Sequence, residues 1–370
     1  MINRRQFSML VGASLLAAQR AGADEAAYVL GTLFPMTGSL AELGGLYTNA
    51  VALALEHVRT DQLLARPLQL SAEDSQSTPQ GGAVGMSKLI NVAKAQCVLL
   101  GVTGVSKAAE PIGTRAKVMM INGGGVGPDL AKLSPYFFNV IPLAHQEIST
   151  SIAYMASKGV KRIALIYIDD PLGAAILKTL REQLPSVGAG LVGTFSAPTT
   201  LQQFAAIAAK VRETNPDLVY VASYGTQQTQ VFKQLRDAGI TQPFMTYSVG
   251  GTPSVALLPE ANGLLFTSQV ADWTESDRIT KRFVEDWRSR HKGDPSTYAQ
   301  NYYNAARLFA LLLARIEKSN GVVDGDVLRS TILTNEFELV GGKVKFADDG
   351  VILMPTQLNR VKDGRFEKVT

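Results

Sequence analysis

The chain has 370 residues, of which 46% are hydrophobic and 18% are charged. This length exceeds what one simple core needs and indicates two domains of ordinary size. Arg4, Arg5 and Arg20 account for most of the formal charge of +4. The other 33 of the 36 basic residues exceed the 32 acidic ones by only one. Such a nearly neutral chain excludes the electrostatic footprint of a nucleic-acid-binding protein.

The first 23 residues have the pattern of a cleaved export signal. An arginine pair, Arg4-Arg5, precedes the apolar stretch 7–18, and Ala21-Gly22-Ala23 follows as a cleavage site. The stretch is shorter than the roughly 20 residues that a membrane span requires. We therefore predict cleavage after Ala23 and a periplasmic location. The arginine pair resembles the twin-arginine signal, and a general secretory signal with two arginines is the alternative.

From Tyr28 onward, short apolar runs alternate with longer amphipathic segments, which is typical of parallel βαβ units. We predict an α/β fold of two similar, doubly wound parallel-sheet lobes joined by a hinge that the chain crosses several times. Ser39 and Glu42 form a predicted capping box, and Asp170-Pro171 is a predicted helix start. The predicted strands are Tyr28–Phe34, Leu68–Ala72, Cys97–Leu100, Lys117–Ile121, Arg162–Ile168, Leu191–Phe195, Leu218–Ser223 and Leu264–Ser268.

No low-complexity linker divides the chain, so the predicted lobes are interleaved. Residues 24–141 and 250–340 are assigned to the first lobe, and residues 142–249 and 341–370 to the second. The predicted crossings are Val140–His145, Met245–Gly251 and Val340–Phe346.

A glycine cluster, INGGGVGPDL at residues 121–130, does not match a nucleotide-binding loop. Gly123, Gly125 and Pro128 occupy the positions where the dinucleotide fingerprint needs three glycines. The cluster is also far from the first strand of its lobe, where that fingerprint normally lies. We expect the glycines instead to expose backbone N–H and C=O groups to a ligand.

Catalytic and metal-binding patterns are weak. The three histidines are isolated from one another, and no nucleophile elbow is present. Asp169 and Asp170 are adjacent and so rarely face each other, which favours a helix cap over an acid/base pair. A lone Cys97 among apolar neighbours predicts a buried, inert thiol. We expect no enzyme activity, no metal and no cofactor.

Small, hydroxyl and aromatic residues gather where predicted strands give way to helices. In an open α/β sheet these strand ends form the crevice in which ligands bind, because helix N-terminal N–H groups point into it. Two such lobes facing each other predict a cleft. The segments concerned are residues 34–38, 101–106, 121–127, 168–170 and 222–225.

Across nearly the whole chain after residue 23, the sequence resembles the periplasmic substrate-binding proteins of ABC transporters for branched-chain amino acids and related ligands, which have the type I periplasmic binding fold. The order and spacing of several motifs carry the resemblance. They are residues 31–38, residues 72–76 with Pro79, and residues 162–167, 216–220, 263–267 and 298–308.

The resemblance implies a non-catalytic, monomeric protein that closes two lobes on one small ligand and delivers it to an ABC permease. In the amino-acid binders, a serine and a threonine hold the ligand carboxylate, and an acidic residue pairs with its ammonium. Ser106 matches the serine, the threonine position falls at Gly125 or Val126, and the acidic position falls at Ser248.

The missing acidic partner has a physical consequence for the expected ligand. Leaving a buried charge without its partner costs about 3–5 kcal/mol. We therefore expect a small carboxylate, with aromatic carboxylates among the candidates, and keep α-amino acids, amides and urea-type ligands as alternatives. Tyr224 and Tyr298 match aromatic contacts of the family, whereas Leu43 and Leu172 replace residues that are often tyrosine.

Lys107 is a candidate partner for an anion, with an ordinary solvated helix residue as the alternative. A sensor component that signals on closure is the alternative function from another class, and an enzyme of similar fold is the third. The complete predicted ligand site consists of Ser106, Lys107, Gly124, Gly125, Val126, Leu43, Asp170, Leu172, Tyr224, Tyr247, Ser248 and Tyr298.

Overall fold

The computed structural model describes residues 27–271, 273, 277–291 and 293–369. The predicted export signal, with its arginine pair and its cleavage site at Ala23, lies outside the described residues. Within the described part of the chain, no helix has both the length and the apolar character needed to cross a membrane.

The first sheet forms from the N-terminal third of the described chain. Its strands are β1 (Tyr28–Phe34), β2 (Leu68–Asp74), β3 (Cys97–Leu100), β4 (Met119–Asn122) and β5 (Phe137–Asn139), and the helices between them are α1 (Ala41–Thr60), α2 (Pro79–Asn91) and α3 (Thr103–Ala116). All five strands are parallel, in the order β2-β1-β3-β4-β5. Every residue of β3 and β4 is buried, as a sheet covered on both faces requires.

The second sheet begins after β5. Its elements in chain order are α4 (Ala144–Ser157), β6 (Arg162–Ile168), α5 (Pro171–Gln183), β7 (Gly190–Ala197), α6 (Ala205–Glu213), β8 (Leu218–Ala222), α7 (Gly225–Asp237), β9 (Phe244–Thr246), α8 (Pro253–Ala256) and β10 (Leu265–Gln269). These five strands are parallel. The order β10-β9-β8-β6-β7 is again that of a doubly wound sheet.

After β10 the chain returns to the first lobe and then crosses back. The elements are α9 (Arg278–Arg290), α10 (Thr297–Lys318), α11 (Gly325–Thr334), β11 (Phe337–Leu339), β12 (Gly342–Val344), β13 (Thr356–Lys362) and β14 (Arg365–Lys368). Helix α10 packs along α1, and α11 contacts β4. Strands β11 and β12 form a separate hairpin, whereas β13 and β14 extend the second sheet with antiparallel pairing next to β10.

The predicted fold class is confirmed, and the eight predicted strands are found within about two residues of their predicted bounds. The pattern missed β5 and β9 because three residues are too few to show a period. It also missed the four strands from β11 onward. Of these, β13 has the polar sequence TQLNRVK, which does not read as a buried strand.

The predicted lobe division is wrong after residue 249. Strand β10 pairs with β9 in register Leu265↔Met245, so the chain stays in the second sheet through Gln269 and does not cross at Met245–Gly251. The last crossing also lies later than Val340–Phe346, since β12 ends at Val344 and the next strand of the second sheet starts at Thr356. An apolar run predicts a buried strand but does not identify the sheet that it joins.

Candidate ligand-binding cleft

A cleft lies between the two lobes, at the carboxyl ends of their parallel strands. It encloses about 400 Å³ of space not filled by atoms, counted to its open mouth. Nine of the twelve predicted site residues line the cleft: Leu43, Gly124, Gly125, Val126, Asp170, Leu172, Tyr224, Tyr247 and Tyr298.

Sequence reasoning did not assign seven further lining residues to the site. The signal for four of them was present, because they follow β3 directly, where a parallel strand ends at the crevice. The other three are the capping residue of α1, a residue on α1 and one that follows β9. Their hydrophobic side chains gave no sign in the sequence that they reach a cleft. The seven are Gly101, Val102, Thr103, Gly104, Leu40, Tyr47 and Val249.

Three predicted residues do not line the cleft. Lys107 forms a surface ion pair with Asp129, as its alternative interpretation as a solvated helix residue expected. Ser106 is fully buried inside α3, and its hydroxyl has no hydrogen-bond partner. Ser248 is fully buried, and its hydroxyl lies 3.4 Å from that of Tyr298, which does line the cleft.

The N-terminus of α3 faces the cleft without a side-chain cap. Val102 occupies the capping position, and Thr103 and Gly104 of the first turn line the cleft. The Thr103 hydroxyl accepts a hydrogen bond of 3.2 Å from the Gly127 N–H. The first amides of a helix have no partner within it, and together they carry a partial positive charge. This end of α3 is therefore suited to an anion.

The glycine cluster does not present its amides to the cleft as we expected. The Gly124 and Gly125 N–H groups both donate to Oδ1 of Asn122, at 3.3 and 2.8 Å. The Asn122 side-chain amide in turn donates to the Gly125 carbonyl at 2.7 Å. This buried asparagine folds the loop back on its own strand, so these amides are already satisfied.

Close packing explains the glycine at position 124. A Cβ there would lie 2.6 Å from the Gly101 carbonyl oxygen and 2.7 and 2.8 Å from the hydroxyls of Tyr47 and Tyr302. The two tyrosine rings stack with centroids 3.9 Å apart, and Tyr302 donates to the Leu100 carbonyl at 2.7 Å. Gly124 therefore makes room for a tyrosine pair beside the ligand space.

The wall formed by the second lobe combines a carboxylate with aromatic rings. Asp170 caps α5 as predicted, because its Oδ1 accepts the Gly173 N–H at 2.8 Å. Its Oδ2 accepts a 2.5 Å hydrogen bond from the Tyr224 hydroxyl. Burial, together with this neighbouring carboxylate, raises the pKa of Tyr224, so the phenol stays protonated and acts as a donor. Tyr247 donates to the Ser223 carbonyl at 3.2 Å.

A second carboxyl, Glu147, is buried next to Ser248, does not line the cleft and was not predicted. It is completely buried in the first turn of α4, and its Oε2 accepts the Ser248 N–H at 2.8 Å. Its other oxygen has no hydrogen-bond partner. Burial raises the pKa of Glu147 to about 8, against the lowering effect of the Ser248 N–H. An acidic group therefore does lie beside Ser248, although it comes from another element.

The two lobes contact each other at the mouth of the cleft. Oε1 of Glu42 accepts the Ser254 N–H at 3.1 Å, and a Cβ on Gly225 would lie 2.6 Å from the Ser39 carbonyl oxygen. The predicted capping box is wrong, because Leu40 takes the capping position of α1 and Glu42 binds across the cleft instead.

The described residues give little support for metal binding. The described residues contain no group of three or more His, Cys, Asp or Glu side chains that could hold a metal ion. His57 is occupied by Tyr303 at 2.7 Å and Asp286 at 2.9 Å. Burial raises the pKa of Cys97 well above its ordinary value, so this thiol stays protonated.

Comparison with known proteins identifies the family. A family model described as periplasmic binding protein matches residues 27–365, so the chain belongs to the periplasmic binding proteins. The leucine-specific-binding protein of Salmonella typhimurium is 21% identical over 320 residues, which cover 85% of each chain. The predicted family, the leucine-binding-like branch with the type I fold, is confirmed.

Solved structures share the fold at low sequence identity. A leucine-binding protein from Thermotoga maritima has a TM-score of 0.85 at 19% identity, with 93% of this chain and 98% of the other covered. A solute-binding protein of an ABC transporter from R. palustris, in complex with benzoate, has a TM-score of 0.84 at 18% identity, with 93% and 96% covered. Both neighbours have the two-lobed fold described above.

Family membership establishes the general function. Members are non-enzymatic, periplasmic proteins that bind small molecules and work with ABC transporter permeases. The predictions of a substrate-binding protein and of no enzyme activity are confirmed at this level.

The packing around Gly124 can be tested by adding one methyl group. We expect Gly124→Ala to lower the free energy of unfolding by about 1–3 kcal/mol, because the new Cβ overpacks the tyrosine pair. Gly45→Ala, on α1 where nothing lies within 4 Å of an added Cβ, should raise it by about 0.5–1 kcal/mol. Urea denaturation measures both. A Gly124→Ala protein as stable as the parent would contradict the packing argument.

The buried Glu147 predicts a specific pH dependence of stability. The folded state keeps the proton up to about pH 8, whereas the ordinary value of 4.5 applies once the chain unfolds. The unfolding free energy should therefore fall as the pH rises from about 4.5 to about 8. As the pH rises from 5 to 8, we expect the unfolding free energy of the parent to fall by on the order of 2–4 kcal/mol more than that of Glu147→Gln, because glutamine cannot ionise.

Urea denaturation at pH 5, 6.5 and 8 measures this difference. Glu182→Gln makes the same change on the exposed face of α5 and controls for the substitution itself. Parallel pH profiles for Glu147→Gln and the parent would show that Glu147 does not titrate in this range.

Proposed function

We propose that the protein closes its two lobes on a small carboxylate-bearing ligand, aromatic carboxylates included, and delivers it to an ABC permease. The observation that carries this proposal is the uncapped N-terminus of α3, whose first residues, Thr103 and Gly104, line the cleft. Helix N-terminal amides favour anions by their geometry and by the helix dipole. A carboxylate is the matching ligand group.

The remaining walls suit an apolar ligand body. The leucines 40, 43 and 172 and the tyrosines 47, 247 and 298 surround the space. Such side chains contribute through buried area, and tyrosine rings also stack against aromatic ligands. The benzoate complex of the R. palustris neighbour supports a ligand of this kind.

Within this proposal, the Thr103 hydroxyl assists the α3 amides in holding the carboxylate. A hydroxyl that accepts the Gly127 N–H keeps its own proton for donation. The Ser106 hydroxyl, which the family resemblance favours, lies one turn further along the same helix without a partner. The glycine loop contributes space at this end of the cleft.

An α-amino acid is the second candidate ligand. The carboxylate of Asp170 lines the cleft and offers a charge partner for an ammonium group. The leucine-specific relative from Salmonella typhimurium supports this candidate. The absence of an acidic side chain at position 248 is therefore a weaker argument against amino acids than the sequence alone indicated.

For export, we propose the twin-arginine route. Arg4-Arg5 with Phe7 fits the twin-arginine pattern, and Arg20 places a positive charge near the cleavage site. The chain has a single cysteine, so it requires no intramolecular disulfide in the periplasm.

The carboxylate site can be tested at Thr103. We expect Thr103→Val to weaken binding of carboxylates by about tenfold or more, because a hydrogen bond to a charged group contributes about 1.5–3 kcal/mol. Thr179→Val, at a nearly buried helical threonine outside the cleft, is the matched control and should leave affinity unchanged. Isothermal titration calorimetry measures both, with the best ligand from a thermal-shift screen of aromatic acids, aliphatic acids, amides and amino acids.

The outcomes separate the alternatives. If Ser106→Ala weakens carboxylate binding and Thr103→Val does not, the carboxylate site lies one turn further along α3. Stabilisation by amides alone, with none by any carboxylate or amino acid, would contradict the proposed ligand class.

A further inference from the structure

Asp170 has accepting capacity beyond the two hydrogen bonds that it makes. An ionised carboxylate offers about four lone-pair sites. One oxygen accepts the Gly173 N–H and the other accepts the Tyr224 hydroxyl. Both acidic and phenolic groups line the cleft and are only partly buried, so each of the two oxygens can accept a further hydrogen bond from a ligand.

Among the described residues, no cation neutralises this carboxylate. The described residues that line the space include no lysine, arginine or histidine, and none of the described ion pairs involves Asp170. Filling the cleft with an apolar ligand body removes water from the carboxylate, which is costly unless the ligand supplies a hydrogen-bond donor. The cleft is therefore poorly matched to a purely apolar group at this position.

Asp170 and the N-terminus of α3 line the cleft from different lobes, and α3 contacts α5, the helix that Asp170 caps. Asp170 follows β6 and Tyr224 follows β8, both in the second sheet, whereas Thr103 follows β3 in the first. A ligand carboxylate beside Asp170 would place two like charges together, which is unfavourable. The carboxylate thus belongs on the α3 side, and another part of the ligand faces Asp170.

The geometry also fixes Tyr224 at the boundary of the lobes. Gly225 directly follows it with φ of +60°, in close contact with the Ser39 carbonyl oxygen of the first lobe. A side chain at position 225 would be strained in this conformation and would collide with Ser39. The hydroxyl of Tyr224 is therefore held beside Asp170 where the two lobes meet.

We propose that Asp170 and Tyr224 form a second polar subsite, which selects carboxylates that carry a hydrogen-bond donor on the part facing the second lobe. This inference rests on the proposed carboxylate-binding function. The donor is a hydroxyl or an ammonium group, since both donate to a carboxylate oxygen. Hydroxylated aromatic acids and amino acids are the two sources of this chemistry.

Calorimetry with matched ligand pairs tests the subsite. One pair is 4-hydroxybenzoate and benzoate, and the other is L-phenylalanine and 3-phenylpropanoate. We expect the parent protein to bind the donor-bearing member of at least one pair about tenfold more tightly. The first pair reports on a hydroxyl, and the second pair reports on an ammonium group.

Asp170→Asn removes the charge and keeps a good helix cap, since asparagine and aspartate cap equally well. We expect it to reduce the donor preference by about tenfold, without weaker binding of the donor-free acid. Asp324→Asn is the matched control: Asp324 caps α11 by accepting the Val327 N–H at 2.8 Å, and its replacement should leave the preference unchanged.

An unchanged preference in Asp170→Asn, or a parent protein that binds both members of each pair equally, would overturn the subsite. The second result needs no variant and holds even if Asp170→Asn fails to fold. In both cases carboxylate binding itself would stand. If no carboxylate and no amino acid binds the parent protein, the proposed function fails and the subsite fails with it.

Discussion

The cleft depends on one constraint, which is that two parallel sheets present their carboxyl ends to the same space. Parallel strands need helical connections, and each connecting helix therefore begins at this edge. Helix α3 begins here from the first sheet, and α5 and α7 begin here from the second. The ligand space is consequently bordered by helix N-termini and strand ends, and little of it is formed by helix sides.

The polarity of these helix starts differs between the lobes. Asp170 caps α5 and brings a negative charge to the second-lobe wall, whereas α3 has only Val102 at its capping position and leaves its amides open. The cleft therefore has one end that favours an anion and one that favours a donor. Aromatic and aliphatic side chains fill the walls between them. In the proposed binding mode, this polarity orients the ligand without any lysine or arginine among the described lining residues.

Sequence periodicity predicted the buried parallel strands well, because each is a short apolar run between amphipathic helices. It predicted β10 as a strand but assigned it to the wrong lobe, because a short buried run does not show which sheet it joins. It missed β13, whose polar residues do not read as a buried strand. Site residues at strand ends were predictable for the same topological reason. Tyr47 and Glu147 were not, since one occupies a hydrophobic helix face and the other an ordinary acidic first turn.

The glycine cluster illustrates the limit of reasoning from composition. Its glycines indicated bare backbone near a ligand, but Asn122 engages the amides of Gly124 and Gly125. A side chain at position 124 is excluded by the tyrosine pair packed against it. Tyr47 and Tyr302 lie more than 70 and more than 170 positions away in the sequence. Contacts of this range leave no local signal in the sequence.

A crystal structure of the protein bound to the carboxylate that stabilises it most would test the central claim directly. We predict that the ligand carboxylate accepts hydrogen bonds from the amides of Thr103 and Gly104, with the remainder of the ligand toward Asp170. A carboxylate found on the second-lobe wall, or a ligand outside the cleft, would contradict the assignment of α3 as the anion-binding element.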